Sequence, residues 1–306
     1  VPMFDPEYRP GDNLYTDSTV AIDVDSGKMK WYFQYTPGDF FDYDEEGVNL
    51  LVDIDDGGQT RKVINHFGRN GFFYTLDRTN GTFIAGAQYG AHVNWTAGID
   101  PKTGKPVEYD PSRDTQTYLV GDPAGRRAQG EINICPATGG GVNYEPTSFS
   151  RRTHLAYGAG VEEACTKILV VPTDGPANGG FAGGKSTGRE RAFGGLTAVN
   201  PATGATVAKH TFDYPMRSGV VTTAGGLAFT AEADGTIVAV NDQTLEPLWS
   251  FNMGSFNQAP PMTYAVNGKQ YVAILVGGNA IMRGYLAKSP EIQDMQNTSM
   301  LWVFSL

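Results

Sequence analysis

The feature that most constrains this chain is a short unit that recurs along it: an apolar strand ending in Asp or Asn, then a turn closing in Thr-Gly or Ser-Gly. The copies are Val20-Ala-Ile-Asp23-Val-Asp-Ser-Gly27, Tyr74-Thr-Leu-Asp77-Arg-Thr-Asn-Gly81, Gly98-Ile-Asp100-Pro-Lys-Thr-Gly104, Leu196-Thr-Ala-Val-Asn200-Pro-Ala-Thr-Gly204 and Val238-Ala-Val-Asn241-Asp-Gln-Thr244. Each reads as a hairpin in which the Asx side chain caps the turn and Gly supplies positive φ. Repeats of this kind, in four-stranded units, stack radially as an all-β propeller. The uneven spacing between copies predicts long loops between some blades, where a scaffold of this type presents its chemistry.

Composition agrees. The 306 residues hold 39 Gly and 18 Pro with 11% aromatics, as many short strands and tight turns require. No apolar run approaches the ~20 residues of a membrane span. The net charge of −10 comes without any basic cluster beyond pairs such as Arg126-Arg127 and Arg151-Arg152, which disfavours nucleic acid and anionic membranes as partners. The N-terminal residues lack the charged and apolar regions of a signal peptide, as a mature or truncated chain also would. Cys135 and Cys165 have no metal-ligand or Cys-x-x-Cys spacing. Their count alone leaves a disulfide and two buried free thiols open.

The densest chemistry lies in Gln34-Tyr-Thr-Pro-Gly-Asp39-Phe-Phe-Asp42-Tyr-Asp44-Glu-Glu46-Gly-Val-Asn49, which places five carboxylates in eight residues directly after the strand Trp31–Tyr35. In an extended segment Asp42 and Asp44 project from the same side, which suits two oxygens of a hard cation's shell. A solvated acidic loop is the other reading of the same spacing. Arg69, in Arg69-Asn-Gly-Phe-Phe-Tyr-Thr-Leu-Asp77, and Asn143, in the glycine-rich Cys135-Pro-Ala-Thr-Gly-Gly-Gly-Val-Asn143, read alone as a surface ion pair and a solvent-facing amide.

Two segments imitate other motifs. Gly179-Gly-Phe-Ala-Gly-Gly184-Lys185-Ser186 fits a phosphate-binding loop literally, but Pro172-Thr-Asp-Gly-Pro-Ala-Asn separates it from the preceding strand and glycines follow it, so no helix starts there. Asp53-Ile-Asp55-Asp-Gly-Gly58 opens like a calcium loop but has Ile64 where the terminal Glu is required, and reads as a hairpin turn.

Four separated segments, in order, resemble the pyrroloquinoline quinone (PQQ)-dependent alcohol dehydrogenases. They are Thr36-Pro-Gly-Asp39-Phe-Phe-Asp42-Tyr43 with Val48-Asn49; Arg69-Asn-Gly-x-x-Tyr-x-Leu-Asp-Arg-Thr-x-Gly81; Cys135-Pro with its Gly-rich run to Asn143; and the last strands from Ser218 to Leu306. The resemblance implies Asp42 as catalytic base, Arg69 reaching the quinone oxygens and the base, and Asn143 hydrogen-bonding the quinone. It also implies Asp44 as the extra ligand of the subclass that uses a lanthanide in place of calcium, and a Cys135–Cys165 disulfide.

The implied fold is an eight-bladed propeller of which this chain covers roughly the C-terminal half as one partial domain, inactive alone. The implied activity is periplasmic oxidation of a primary alcohol or aldehyde, with electrons passed to a cytochrome c. A sugar- or polyol-oxidising quinoprotein and a non-catalytic propeller scaffold are the alternatives. The chain departs from the family pattern at Gly38 (usually His), at Phe41 (usually Trp) and at Glu45-Glu46, which reads as a small insertion. It also departs at Arg217 and Asn279, where methanol dehydrogenases carry Trp, which implies a different pocket shape.

Overall fold

The computed structural model describes residues 4–118, 131–171, 183–278 and 284–305. Within them the chain forms twenty strands, all paired antiparallel, in six sheets. β3 (Leu50–Asp56), β4 (Gln59–Phe67), β5 (Phe72–Asp77) and β6 (Phe83–Gln88) form a four-stranded meander. A second, β14 to β17, spans Val221–Thr222, Leu227–Ala231, Thr236–Asn241 and Pro247–Asn252. β8 (Ser148–Ser150), β9 (Leu155–Glu162), β12 (Phe193–Val199) and β13 (Thr206–Phe212) make a third four-stranded sheet. β1 (Ser18–Ile22) with β2 (Met29–Gln34), and β18 (Met262–Val266), β19 (Lys269–Val276) and β20 (Met300–Ser305), form smaller sheets.

The remaining sheet was not visible in the repeat. Between β9 and β12 the chain leaves its blade as a hairpin, β10 (Thr166–Val170) and β11 (Gly184–Arg189), and β10 pairs with β7 (Glu131–Ile134). Gly184, Lys185 and Ser186 of the phosphate-loop lookalike therefore lie in a strand and not at a helix start, while 179–182 fall outside the described residues.

The inner strands read as nearly continuous apolar runs because both of their faces are covered. Phe72, Phe73, Tyr74 and Leu76 of β5, and Ile237, Val238, Ala239 and Val240 of β16, are all buried. The outer strand β17 is exposed at every position. Four repeat copies form hairpins as expected: β1–β2, β5–β6, β12–β13 and β16–β17. The Asx caps are present, for example the Ala202 N–H donating to Asn200 Oδ1 at 2.8 Å.

The Gly98–Gly104 copy is a correction. It keeps the capped turn, with Thr103 N–H on Asp100 Oδ1 at 2.8 Å, but its flanks make only an isolated bridge between Ile99 and Pro106. Proline has no N–H to extend a ladder there. The turn glycines also let neighbouring units approach. A Cβ on Gly81, at φ 77°, would lie 2.5 Å from Trp31 of β2, so the β5–β6 turn closes on the preceding sheet.

Glu232 follows β15 and is buried, with its carboxylate accepting the Tyr214 N–H at 3.0 Å. Burial, opposed by that hydrogen bond and reinforced by Asp234 and Asp213, pushes its carboxyl up to about 7. A carboxyl raised in the folded state destabilises the fold as pH climbs from the unfolded value toward the folded one. Glu232→Gln is therefore expected to match the parent near pH 4 and to melt at a higher temperature at pH 8. Parallel thermal melts at the two pH values check this.

Candidate functional site

The acidic stretch leaves β2 at Tyr35, whose N–H donates to the Asp17 carbonyl at 2.8 Å, and winds around Asp39. Asp39 is buried, and its two oxygens accept the N–H groups of Phe41 and Tyr43, each at 3.0 Å. This curl turns Phe41 and Tyr43 into an aromatic core against Trp95, with ring centroids 5.6 and 5.7 Å away. The Tyr43 hydroxyl donates to the Pro136 carbonyl at 3.1 Å.

The loop is not extended, contrary to the sequence reading. Asp42, Asp44 and Glu45 take left-handed φ values of 69°, 43° and 41°. Asp adopts this region readily and Glu does not, so Glu45 is held there by its contacts.

Those contacts are specific. Glu45 is buried, and its Oε2 lies 2.8 Å from His66 Nε2 on β4 and accepts the Arg69 N–H at 2.9 Å. His66 stacks on Tyr35, with centroids 4.6 Å apart. A residue of the apparent insertion thus pins the loop to the β4–β5 turn that carries Arg69.

Arg69 is buried at 7% exposure and makes a full fan of donors. Its Nε and Nη2 donate to the Thr138 carbonyl at 3.2 and 2.7 Å. Nη1 reaches Glu46 Oε1 at 2.9 Å and Asp44 Oδ2 at 3.3 Å, while Nη2 reaches Asp42 Oδ2 at 3.4 Å. The rigid fork of a guanidinium suits this, and those three carboxylates hold Arg69 above its usual basicity against the effect of burial. Burial pushes the Asp42 carboxyl up to about 8, with Arg69 opposing and Asp44 reinforcing. Asp39 is raised to about 6, chiefly by burial.

The glycine-rich loop closes over Arg69. Gly140 has φ 71°, and any Cβ there would overlap the Arg69 side chain, so Gly is required for two reasons at once. Asn143 is held by its own loop: Nδ2 donates to the Gly139 carbonyl at 2.9 Å and Oδ1 accepts the Tyr144 N–H at 2.8 Å. The Cys135–Cys165 disulfide is present, with Cα atoms 4.4 Å apart, and it ties the start of this loop to the β9–β10 connection.

These pieces line one cavity of about 890 Å³ that contains Asp42, Asp44, Glu46, Arg69, Thr138 and Asn143. On its other side Arg217 is buried against Glu145, Nε to Oε1 at 2.8 Å, and its guanidinium lies 5.0 Å from the Tyr285 ring. Arg189 lies 4.7 Å over the same ring. All four sequence-predicted site residues therefore meet at one cavity, although Asn143 bonds its own loop and not Arg69 or Asp42. Glu45 and Glu46 were noted only as a small insertion, and Thr138 and Arg189 were not singled out. Arg217 was flagged only as a place where Trp was absent, and Asn279 lies outside the described residues.

Antiparallel sheets of up to four strands, with a carboxylate and arginine cavity beside a disulfide-tied loop, are those of a partial β-propeller. The glucose/ethanol/alcohol dehydrogenase β-propeller domain matches residues 4–90 and 185–272. The chain is 36% identical to quinoprotein alcohol dehydrogenase PedH of Pseudomonas putida over 97% of its length and 49% of that protein's. It is also 36% identical to the quinohemoprotein alcohol dehydrogenase of Comamonas testosteroni, over 93% of this chain and 40% of the relative. Among solved structures, a europium-containing methanol dehydrogenase superposes with a TM-score of 0.83 at 28% identity, over 99% of this chain and 55% of that one. The chain belongs to the quinoprotein alcohol dehydrogenase family, and it spans about half the length of the curated relatives it matches.

Proposed function

We propose that residues 1–306 form part of the single propeller domain of a PQQ-dependent enzyme that oxidises a primary alcohol or aldehyde in the periplasm and passes electrons to a cytochrome c. The observation that carries this is the meeting of Asp42, Asp44, Arg69 and Asn143 at one cavity in a chain of this family. The disulfide suits an oxidising compartment. One relative is a 1-butanol dehydrogenase (cytochrome c) of Thauera butanivorans, which supports the acceptor class. No helix of the described residues is long and apolar enough to cross a membrane.

The cavity fits the cofactors by volume and by donor set. Arg69 lines the cavity with a positive charge and Asn143 with a second amide N–H, both suited to a quinone's oxygens, and Asp42 and Asp44 offer oxygens to calcium or a lanthanide. When bound, the quinone supplies the two-electron acceptor and the cation a Lewis acid.

The chain's own residues do the rest. Asp42 takes the substrate's hydroxyl proton on its carboxylate, which must be ionised to do so; Arg69, 3.4 Å away, favours that ionised form against burial. Arg69 is itself fixed by the Thr138 carbonyl, so its positive charge would already be in place to stabilise negative charge on a bound quinone. The aromatic core behind the loop, Phe41, Tyr43 and Trp95, keeps water from that face.

A trivalent ion gains more than calcium from an added carboxylate, because the Coulomb term scales with charge. In a protein extended to the length of the relatives, Asp44→Ala is expected to abolish lanthanide-supported alcohol oxidation while sparing part of the calcium-supported rate. The check is dye-linked turnover measured with each metal, and equal loss with both rejects the role.

A further inference from the structure

Asp17 takes no part in the function proposed above, yet it is the least satisfied carboxylate near the acidic loop. It precedes β1, has a left-handed φ of 49°, and is buried to 5% exposure. Its carbonyl accepts the Tyr35 N–H at 2.8 Å, which fixes it beside the point where the acidic loop begins. Its side-chain Oδ2 is buried without a hydrogen-bond partner among the described residues. Burying an unpartnered carboxylate oxygen is strongly unfavourable unless a proton or a cation meets it.

Two other carboxylates converge on it. One oxygen each from Asp17, Asp39 and Asp44 lies within 4.8 Å of the others. Oxygens bound to an ion at about 2.3–2.6 Å are separated by at most about twice that distance, so this spacing is what a calcium-sized cation needs. Asp39 accepts one N–H on each oxygen and retains lone pairs; Asp44 opens to the cavity and accepts from Arg69 Nη1 at 3.3 Å. All three donors are hard oxygens with no nitrogen or sulfur among them, which selects calcium-like or lanthanide-like ions over zinc or copper.

We infer that Asp17, Asp39 and Asp44 form a binding site for a hard divalent or trivalent cation, with Asp17 a ligand supplied from outside the acidic loop. The site ties the start of β1 to that loop. The site shares Asp44 with the metal-ligating pair proposed above, while Asp17 and Asp39 are its own, and its test does not require that the chain oxidise alcohols.

The test titrates the protein with terbium(III), read by luminescence sensitised through its aromatic core, and repeats the titration with Asp17→Asn. Asn tolerates the left-handed φ and fills the same space, so the variant keeps the fold and, without metal, is at least as resistant to heat as the parent. Its terbium affinity is expected to fall at least tenfold, and the rise in Tm that calcium or terbium gives the parent to shrink. Asp17→Ser, which also lacks the carboxylate, gives the same answer if Asn disturbs the loop. Unchanged terbium affinity and unchanged metal-induced stabilisation in both variants overturn the site. Alcohol oxidation enters neither readout, so an inactive protein that loses terbium affinity on Asp17→Asn still supports it.

Discussion

Glu45→Ala is expected to destabilise the fold by about 2–4 kcal/mol, because it strands buried donors that each cost roughly 1–3 kcal/mol when unpaired. The donors are the Arg69 N–H, bonded to Glu45 Oε2 at 2.9 Å, and the His66 ring nitrogen, 2.8 Å from the same oxygen. His66 cannot turn to water, since it is buried and stacked on Tyr35. The substitution also releases a residue at φ 41° from the contacts that hold it there, so the loop loses its reason to curl toward Arg69. The functional consequence is a displaced Asp42 and Asp44 as well as a less stable protein. Glu45→Gln keeps one acceptor in place and is expected to lose less. Urea denaturation midpoints for the parent and the two variants check the order; a Glu45→Ala midpoint equal to the parent's removes Glu45 as the pin.

Much of this was legible in the chain, for reasons that differ by residue. The repeat was readable because each copy is local: Asn200 and Gly204 sit in one turn, and their capping bonds span only a few residues. Asp42, Asp44, Arg69 and Asn143 were readable because their motifs carry them, and the cavity brings all four together.

What failed to show was non-local or depended on backbone sign. β10 pairs with β7 across a whole inserted strand pair, β8 and β9, and nothing in the local pattern says so. Glu45 looked like part of a surplus acidic pair because its inward direction follows from a left-handed φ that Glu rarely takes. The extended reading of Asp42 and Asp44 failed for the same reason. Arg217 was visible only as a missing Trp, whereas its partner Glu145 lies 72 residues away. Buried ion pairs of this kind bring together residues that no spacing rule connects.

Asp42 is the residue proposed to take the alcohol's proton. Asp42→Asn removes the basic carboxylate while keeping the shape of the side chain, its tolerance of φ 69° and an oxygen that can still accept from Arg69 Nη2. Loss of a positioned general base typically slows turnover by about 10²–10⁴-fold. The direct measurement is kcat for dye-linked oxidation of a primary alcohol by the protein extended to the length of its relatives and loaded with PQQ and metal, compared with its Asp42→Asn variant at equal cofactor occupancy. The expected result is a fall of that size with PQQ still bound; a variant that turns over at the parent's rate would contradict the assignment of Asp42 as the base.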